Sequence, residues 1–221
     1  MELTSYLLGK KAGGGGGGST DRDWTTIGYS SEPSFIENGF NYAKTIYDNW
    51  SSSTTTLIRK FKNDENLIFC PLIDTSNVTT TTDVFNACSN LIYVPLLNFS
   101  SSDAMTRAFT NCYKLTTIPL LDTSNVKGFT DCFSGCYSLV NVPLLNLSKA
   151  TSLTRMFNNC PNLSNDSLNN ILKMCSNATA YGGTKTLKHI GFSSDYYSVV
   201  KISSLSNYQE FINAGWTIGY E

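Results

Sequence analysis

Apolar and polar positions along the chain recur with a constant 24-residue step. Leucines fall at Leu67, Leu91, Leu115, Leu139 and Leu163, phenylalanines at Phe85, Phe109, Phe133 and Phe157, and cysteines at Cys88, Cys112, Cys136 and Cys160. Prolines keep the same step at Pro71, Pro95, Pro119 and Pro143, as do Ser76, Ser100, Ser124 and Ser148, and Thr82, Thr106, Thr130 and Thr154. A single unit cannot bury its own apolar face, whereas stacked units bury it against their neighbours. The pattern predicts an α/β repeat solenoid of 24-residue coils. The Leu-x-x-Val/Ile-Pro-Leu stretch is expected to give one short parallel strand per coil. Proline lacks an N–H, so pairing should centre on the Leu-x-x-Val/Ile part and loosen at the prolines. That leaves open whether Leu97 and its column point inward. The Asp/Asn-x-Ser stretch reads as a turn, and Met105-Thr106-Arg107-Ala108-Phe109 and its equivalents as a short helical or 3₁₀ segment.

The ends depart from the repeat. Residues 1–12 form a short amphipathic piece and residues 13–18 are all glycine, a flexible tether. A cap is expected over 21–66. Residues 24–29 are strand-like and Pro33 suits a first helical turn. Phe35, Ile36, Phe40, Ala43, Ile46, Tyr47 and Trp50 follow at helical spacing. The solenoid proper is expected over 67–163, though Phe61 already lies on the 24-residue ruler. A C-terminal cap should fill 164–221. It would open with a helix over 165–175 that carries Leu168, Ile171, Leu172 and Cys175 on one face. Leu187 lies one further step of the ruler beyond Leu163. Two more helices are expected near 194–203 and 207–214, the second with a Ser206/Gln209 capping box and a stop at Gly215. Residues 216–220 form a closing strand that echoes 24–29.

Composition narrows the function. Among 221 residues there are 16 Lys and Arg against 17 Asp and Glu, a net charge of -1. That balance argues against a nucleic-acid or polybasic membrane binder. No window approaches the ~20 apolar residues of a membrane span, and Leu7-Leu8 is too short for a signal-peptide core. One histidine in the chain leaves little room for His-based catalysis or zinc. The seven cysteines are expected as buried thiols, because equivalent positions stack into one core and free Cys behaves as a small hydrophobe. Asp83, Arg107, Asp131 and Arg155 share a column of alternating sign and are expected to fix the register of the stack. No catalytic, cofactor-binding or metal-binding residues are expected. The candidate ligand-binding face is Phe69, Tyr93, Thr117, Asn141, Lys188 and His189, outward positions that vary where the core columns do not.

The stretches CYKLTTIPLLDTSNV and GCYSLVNVPLLNLS, with Asp74-Thr75-Ser76-Asn77-Val78 and Asp122-Thr123-Ser124-Asn125-Val126, resemble the BspA-like bacterial surface-protein class of leucine-rich repeats. The likeness covers about 61–163, fades towards 192, and drifts at Phe99 and Leu147, where the usual Thr is lost. It implies a curved leucine-rich-repeat solenoid used in adhesion or recognition, with no catalytic residues. The opening MELTSYLLGKKA and its glycine run resemble the start of small structural proteins of phages and prophages of Gram-positive gut bacteria. The resemblances imply a phage tail or virion protein that binds protein or cell-surface glycan and contacts other virion proteins through residues 1–12. The alternative they leave is a bacterial cell-surface or secreted adhesin.

Overall fold

Half of the backbone N–H groups in one wall of each coil are aimed at the next coil. A computed structural model describes residues 39–188 and 202–219, with backbone only for 40 and 186–188. In it Leu57, Arg59, Phe61 and Asn63 donate their N–H groups to the carbonyls of Thr80, Thr82, Val84 and Asn86, at 2.8–3.1 Å. The intervening N–H groups of Lys60, Lys62 and Asp64 close turns onto the carbonyls of Leu57, Arg59 and Phe61. The next coils repeat the scheme. Thr81, Asp83, Phe85 and Ala87 donate to Ala104, Thr106, Ala108 and Thr110, and Met105, Arg107, Phe109 and Asn111 to Gly128, Thr130, Cys132 and Ser134. Phe129, Asp131, Phe133 and Gly135 donate to Ser152, Thr154, Met156 and Asn158.

This wall is where the pattern predicts a short helical or 3₁₀ segment, and it is a ribbon of turns instead. Two columns adopt left-handed backbone: Arg59, Asp83, Arg107, Asp131 and Arg155 at φ 52–57°, and Asn63, Ala87, Asn111, Gly135 and Asn159 at φ 54–76°. A left-handed residue interrupts any helix after a single turn. The N–H of the left-handed residue itself bonds to the next coil and the N–H that follows closes a turn, so a ladder between coils replaces the helical one. Left-handed backbone is costly away from Gly and Asn, and here Arg59, Asn63, Asp83, Ala87, Arg107, Asn111, Asp131 and Gly135 each supply one rung.

The opposite wall is where the strand is expected. Pairing there is reduced to single parallel bridges, Phe69 with Tyr93 and Thr117 with Asn141, each joining equivalent positions of adjacent coils. Val140 N–H donates to Thr116 O at 2.9 Å and Ile118 N–H to Asn141 O at 3.3 Å. The run ends at the prolines, which have no N–H to offer. The column of Ile73, Leu97, Leu121 and Leu145 points inward. Coil-to-coil bonds begin at Thr55, which accepts from Thr79 N–H. Residues 55–66 therefore pair as a coil, whereas the expected boundary assigned them to the cap.

Between the walls, Phe61, Phe85, Phe109, Phe133 and Phe157 form one column of stacked rings with centroids 5.2–5.4 Å apart. Offset stacks of this kind contribute about 0.5–1.5 kcal/mol per pair beyond area burial. Beside them the thiols of Cys88, Cys112, Cys136 and Cys160 donate to the carbonyls of Phe61, Phe85, Phe109 and Phe133 at 2.9–3.1 Å. All seven cysteines are buried thiols outside any disulfide. Burial pushes Cys88 and Cys160 up to about 12, far from the thiolate that reactive cysteines need. Thr75 and Thr123 donate from the core to Asn98 O and Asn146 O at 2.8 Å. Phe99 and Leu147 replace that Thr in alternate coils and are buried as apolar filler.

Helices close the two ends. α1 (Phe40–Asp48) leads to Trp50, whose Nε1 donates to Asp74 O at 2.7 Å. α2 (Asn165–Asn177) begins at Ser164, whose hydroxyl accepts from Ser167 N–H. It meets the last coil through side chains, of which Ser167 stands in for a further coil. Ser167 Oγ accepts from Val142 N–H at 2.8 Å and donates to Val140 O at 2.8 Å. Asn170 Nδ2 donates to Val142 O at 2.9 Å, and Met174 Sδ accepts from Leu145 N–H at 3.2 Å. β1 (Thr186–Lys188), α3 (Tyr208–Asn213) and β2 (Thr217–Gly219) follow, with Leu187 opposite Ile218 in a parallel pair. The expected Ser206/Gln209 capping box does not form: Asn207 is the cap, and Ser206 donates to Asn169 Oδ1 while Gln209 reaches Asn213. Gly215 follows the helix with φ 85°, the left-handed stop that glycine allows. The strand over 24–29, Pro33, Phe35, Ile36, His189 and the helix expected from 194 lie outside the described residues, as do residues 1–18.

Phe133 sits fully buried in the middle of the ring column. Phe133→Ala is expected to lower the unfolding free energy by about 3–5 kcal/mol, while half-buried Thr117→Ala stays within about 0.5 kcal/mol. Urea titration of both variants checks this, and similar losses at the two positions would contradict the assignment of faces.

Candidate functional surface

The polar side chains nearest the stack are largely consumed in joining coils. Arg107 grips Asp83 with a two-pronged contact, Nε to Oδ1 at 2.8 Å and Nη2 to Oδ2 at 3.0 Å. Arg59 approaches the same carboxylate from the coil before at 3.6 Å, and Arg155 grips Asp131 in the same way as Arg107 grips Asp83. Asp83 is buried and also accepts from Asn86 Nδ2 at 2.6 Å. The Arg107 hydrogen bond, helped by Asn86 and by the charges of Arg107 and Lys62, outweighs burial and holds its carboxyl at about 2. Amide and lysine side chains staple the exterior in a similar way. Asn90 Nδ2 reaches Glu65 O, Asn125 Nδ2 reaches Ser100 O and Asn162 Nδ2 reaches Tyr137 O, at 2.7–2.8 Å. Lys114 Nζ then donates to Asn90 Oδ1 and Lys149 Nζ to Asn125 Oδ1.

The residues of the expected ligand face differ in exposure. Phe69 does not face solvent, because the start of α1 lies on it: a Cβ at Gly39 would come within 2.9 Å of the Phe69 ring. Tyr93, bridged to Phe69, is 9% exposed, and burial pushes its hydroxyl up to about 12. The aromatic end of the face is therefore core. Thr117 is half-buried and Asn141 exposed, and these two are brought together by their bridge. Lys188 ends β1, with its backbone alone described, and His189 lies outside the described residues.

Two exposed apolar features lie outside the expected face. Tyr113 and Tyr137 stack at 5.4 Å with 42% and 48% of their surface open. Exposed Thr116 and Val140 lie between them and the Thr117–Asn141 bridge. The backbone beneath is pinned by Ser138 N–H to Tyr113 O and Val140 N–H to Thr116 O. The ridge is thus preorganised, with two aromatic rings beside short polar groups. The second feature is the column Leu72, Leu96, Leu120 and Leu144, open by 41%, 59%, 62% and 46%. Each leucine left half in water forgoes roughly 1 kcal/mol of burial. The sequence carried a signal for it. In an extended segment side chains alternate, so the two apolar residues after each proline cannot both point inward.

Among the described residues, no three His, Cys, Asp or Glu are grouped as a metal ion requires, and no helix is long and apolar enough to cross a membrane. These coils define a repeat protein in which equivalent residues touch across a fixed step. The family model described as "Mycoplasma protein of unknown function, DUF285" matches residues 55–171, more than half of the chain, and the protein belongs to that family. No curated protein and no solved structure matches it.

The Asp83 carboxyl titrates at about 2 in the fold, against an unperturbed value near 3.8. Its contribution is present in full above about pH 4 and is lost as pH falls through 2. Asp83→Asn should lower stability at pH 7 by about 1–3 kcal/mol, as loss of a charged hydrogen bond does. The deficit should narrow as pH falls from 4 to 2. Urea midpoints across that range test it, and a deficit independent of pH would contradict this role of Asp83.

Proposed function

We propose that the protein is a non-catalytic recognition protein. In this reading residues 55–163 form a leucine-rich-repeat solenoid of the BspA-like kind, capped at both ends, that displays a ligand-binding ridge. The observation that carries it is the exposed Tyr113–Tyr137 stack, continued by Val140, Thr117 and Asn141 on a pinned backbone. Aromatic side chains present large contact area at small entropic cost, which makes them anchors in interfaces. Their faces also suit the C–H faces of sugar rings, with Thr117 and Asn141 able to hydrogen-bond hydroxyls. Protein and cell-surface glycan are therefore the ligand classes in view. Fluorescently labelled protein should bind intact Gram-positive cells or a glycan array. Tyr113→Ala/Tyr137→Ala should weaken that binding at least tenfold at an unchanged melting temperature. Binding that survives the double substitution would refute the ridge.

In the finer form of this reading the protein rides on a phage tail, attached through residues 1–12 and tethered by the glycines of 13–18. The resemblance of that opening to phage structural proteins supports it. Membership of a family described from Mycoplasma favours the second reading, a protein displayed on a bacterial cell surface. Deleting residues 1–18 tests the phage reading. On the phage reading the melting temperature is unchanged and incorporation into particles is lost. A drop of several degrees would mean the segment is part of the cap, because a glycine run transmits no packing.

A further inference from the structure

We propose that the column Leu72, Leu96, Leu120 and Leu144 is a self-interface, on which two copies of the chain pack face to face and antiparallel. The two-fold axis would lie in the interface, across the column between Leu96 and Leu120. This goes beyond the tyrosine ridge, which lies elsewhere on the coil, seven residues before the leucine in each unit.

Three observations select a second copy as the occupant. The first is period. The leucines recur once per coil, at the 5.2–5.4 Å step that the stacked phenylalanine rings report. A row of knobs at a fixed step fits best against a row of the same step. The second is the exposure profile of 41%, 59%, 62% and 46%, which is close to symmetric about the midpoint of the column. A two-fold axis at that point pairs Leu72 with Leu144 of the second copy and Leu96 with Leu120, matching like exposure with like.

The third is charge. Two residues beyond each leucine lies an exposed column of alternating type, Asp74, Asn98, Asp122 and Asn146. An antiparallel two-fold keeps this column on the same side in both copies and reverses its order. Asp74 then faces Asn146 of the second copy, and Asn98 faces Asp122. Every carboxylate meets an amide donor, and none meets another carboxylate. The alternation is not needed for local folding. Asp74, Asn98, Asp122 and Asn146 all accept the N–H of the serine two residues on through the same side-chain oxygen, at 2.9–3.1 Å. Either residue makes that turn, so the order of Asp and Asn is free to serve the interface.

Four leucines at these exposures open on the order of a few hundred Å², the scale at which exposed apolar surface marks a contact, and fall short of the ~800 Å² per partner of a standard interface. The dimer is accordingly weak, with a dissociation constant on the order of 10–100 µM. Sedimentation velocity of the full chain, from about 1 to 500 µM, should show reversible monomer–dimer exchange. Leu96→Asp and Leu120→Asp, both at exposed positions, should stay monomeric throughout, with circular dichroism melts confirming that they fold. Asn98→Asp places like charges opposite Asp122 and should weaken the dimer about tenfold at low salt. Adding Asp122→Asn in the same chain exchanges carboxylate and amide within that pair, so that each carboxylate again faces an amide, and should restore the affinity. A wild-type chain that is monomeric at the top of that concentration range overturns the proposal. So does a dimer indifferent to the leucine substitutions, or a double variant no stronger than Asn98→Asp alone. Cell binding lost in Leu96→Asp without any wild-type dimer would assign the column to a foreign partner instead, and so overturn it too.

Discussion

The stack rests on a division of labour among backbone N–H groups. In the wall over 57–63 and its equivalents, alternate N–H groups close turns within a coil and the others bond to the next coil. This is possible because two left-handed residues punctuate the wall of each coil and break the helical course of the backbone, their own N–H groups bonding to the next coil. A continuous helix would satisfy the same groups internally and leave nothing to hold one coil to another. The side-chain columns follow from that ladder. Once the backbone returns to the same place in every coil, a phenylalanine must lie on a phenylalanine, and a thiol finds the carbonyl of the coil before it.

A fixed register also sorts the surface. Side chains that repeat in the interior become stacked rings and thiol bonds. Those near the edge become ion pairs, such as Asp83 with Arg107, or staples, such as Lys149 with Asn125. What remains exposed and apolar belongs to neither class, and its order reflects the same step. The tyrosine pair occupies two adjacent coils and the leucine column four.

Much of this arrangement is legible in the sequence, and the reason is stacking itself. Columns of Phe, Cys and Leu at one step are visible because equivalent positions meet equivalent surroundings. The direction of the Ile73 and Leu97 column is open until the alternation after the prolines places its neighbours outside. The turn ribbon is hidden. Asn63, Asn111, Gly135 and Asn159 are residue types that tolerate left-handed backbone, but Arg59, Asp83, Ala87, Arg107 and Asp131 do not signal it. Their conformation is imposed by the coil beside them. Phe69 is misplaced by the pattern for a similar reason, since its burial is decided by Gly39, which lies off the repeat at a helix start remote in sequence. The sign alternation of Asp83, Arg107, Asp131 and Arg155 is readable because charge order survives any error in the local backbone.

α2 presents Ser167 to the Val142 N–H and Val140 carbonyl, whose equivalents Ile118 and Thr116 bond to the next coil, so it fits the end of any coil of this type. Nothing in those contacts depends on how many coils precede them. Whole 24-residue units could therefore be gained or lost between the two ends with both terminal fittings unchanged. The span of the molecule is then an adjustable dimension, open to change by duplication of single units while the fittings at both ends stay constant.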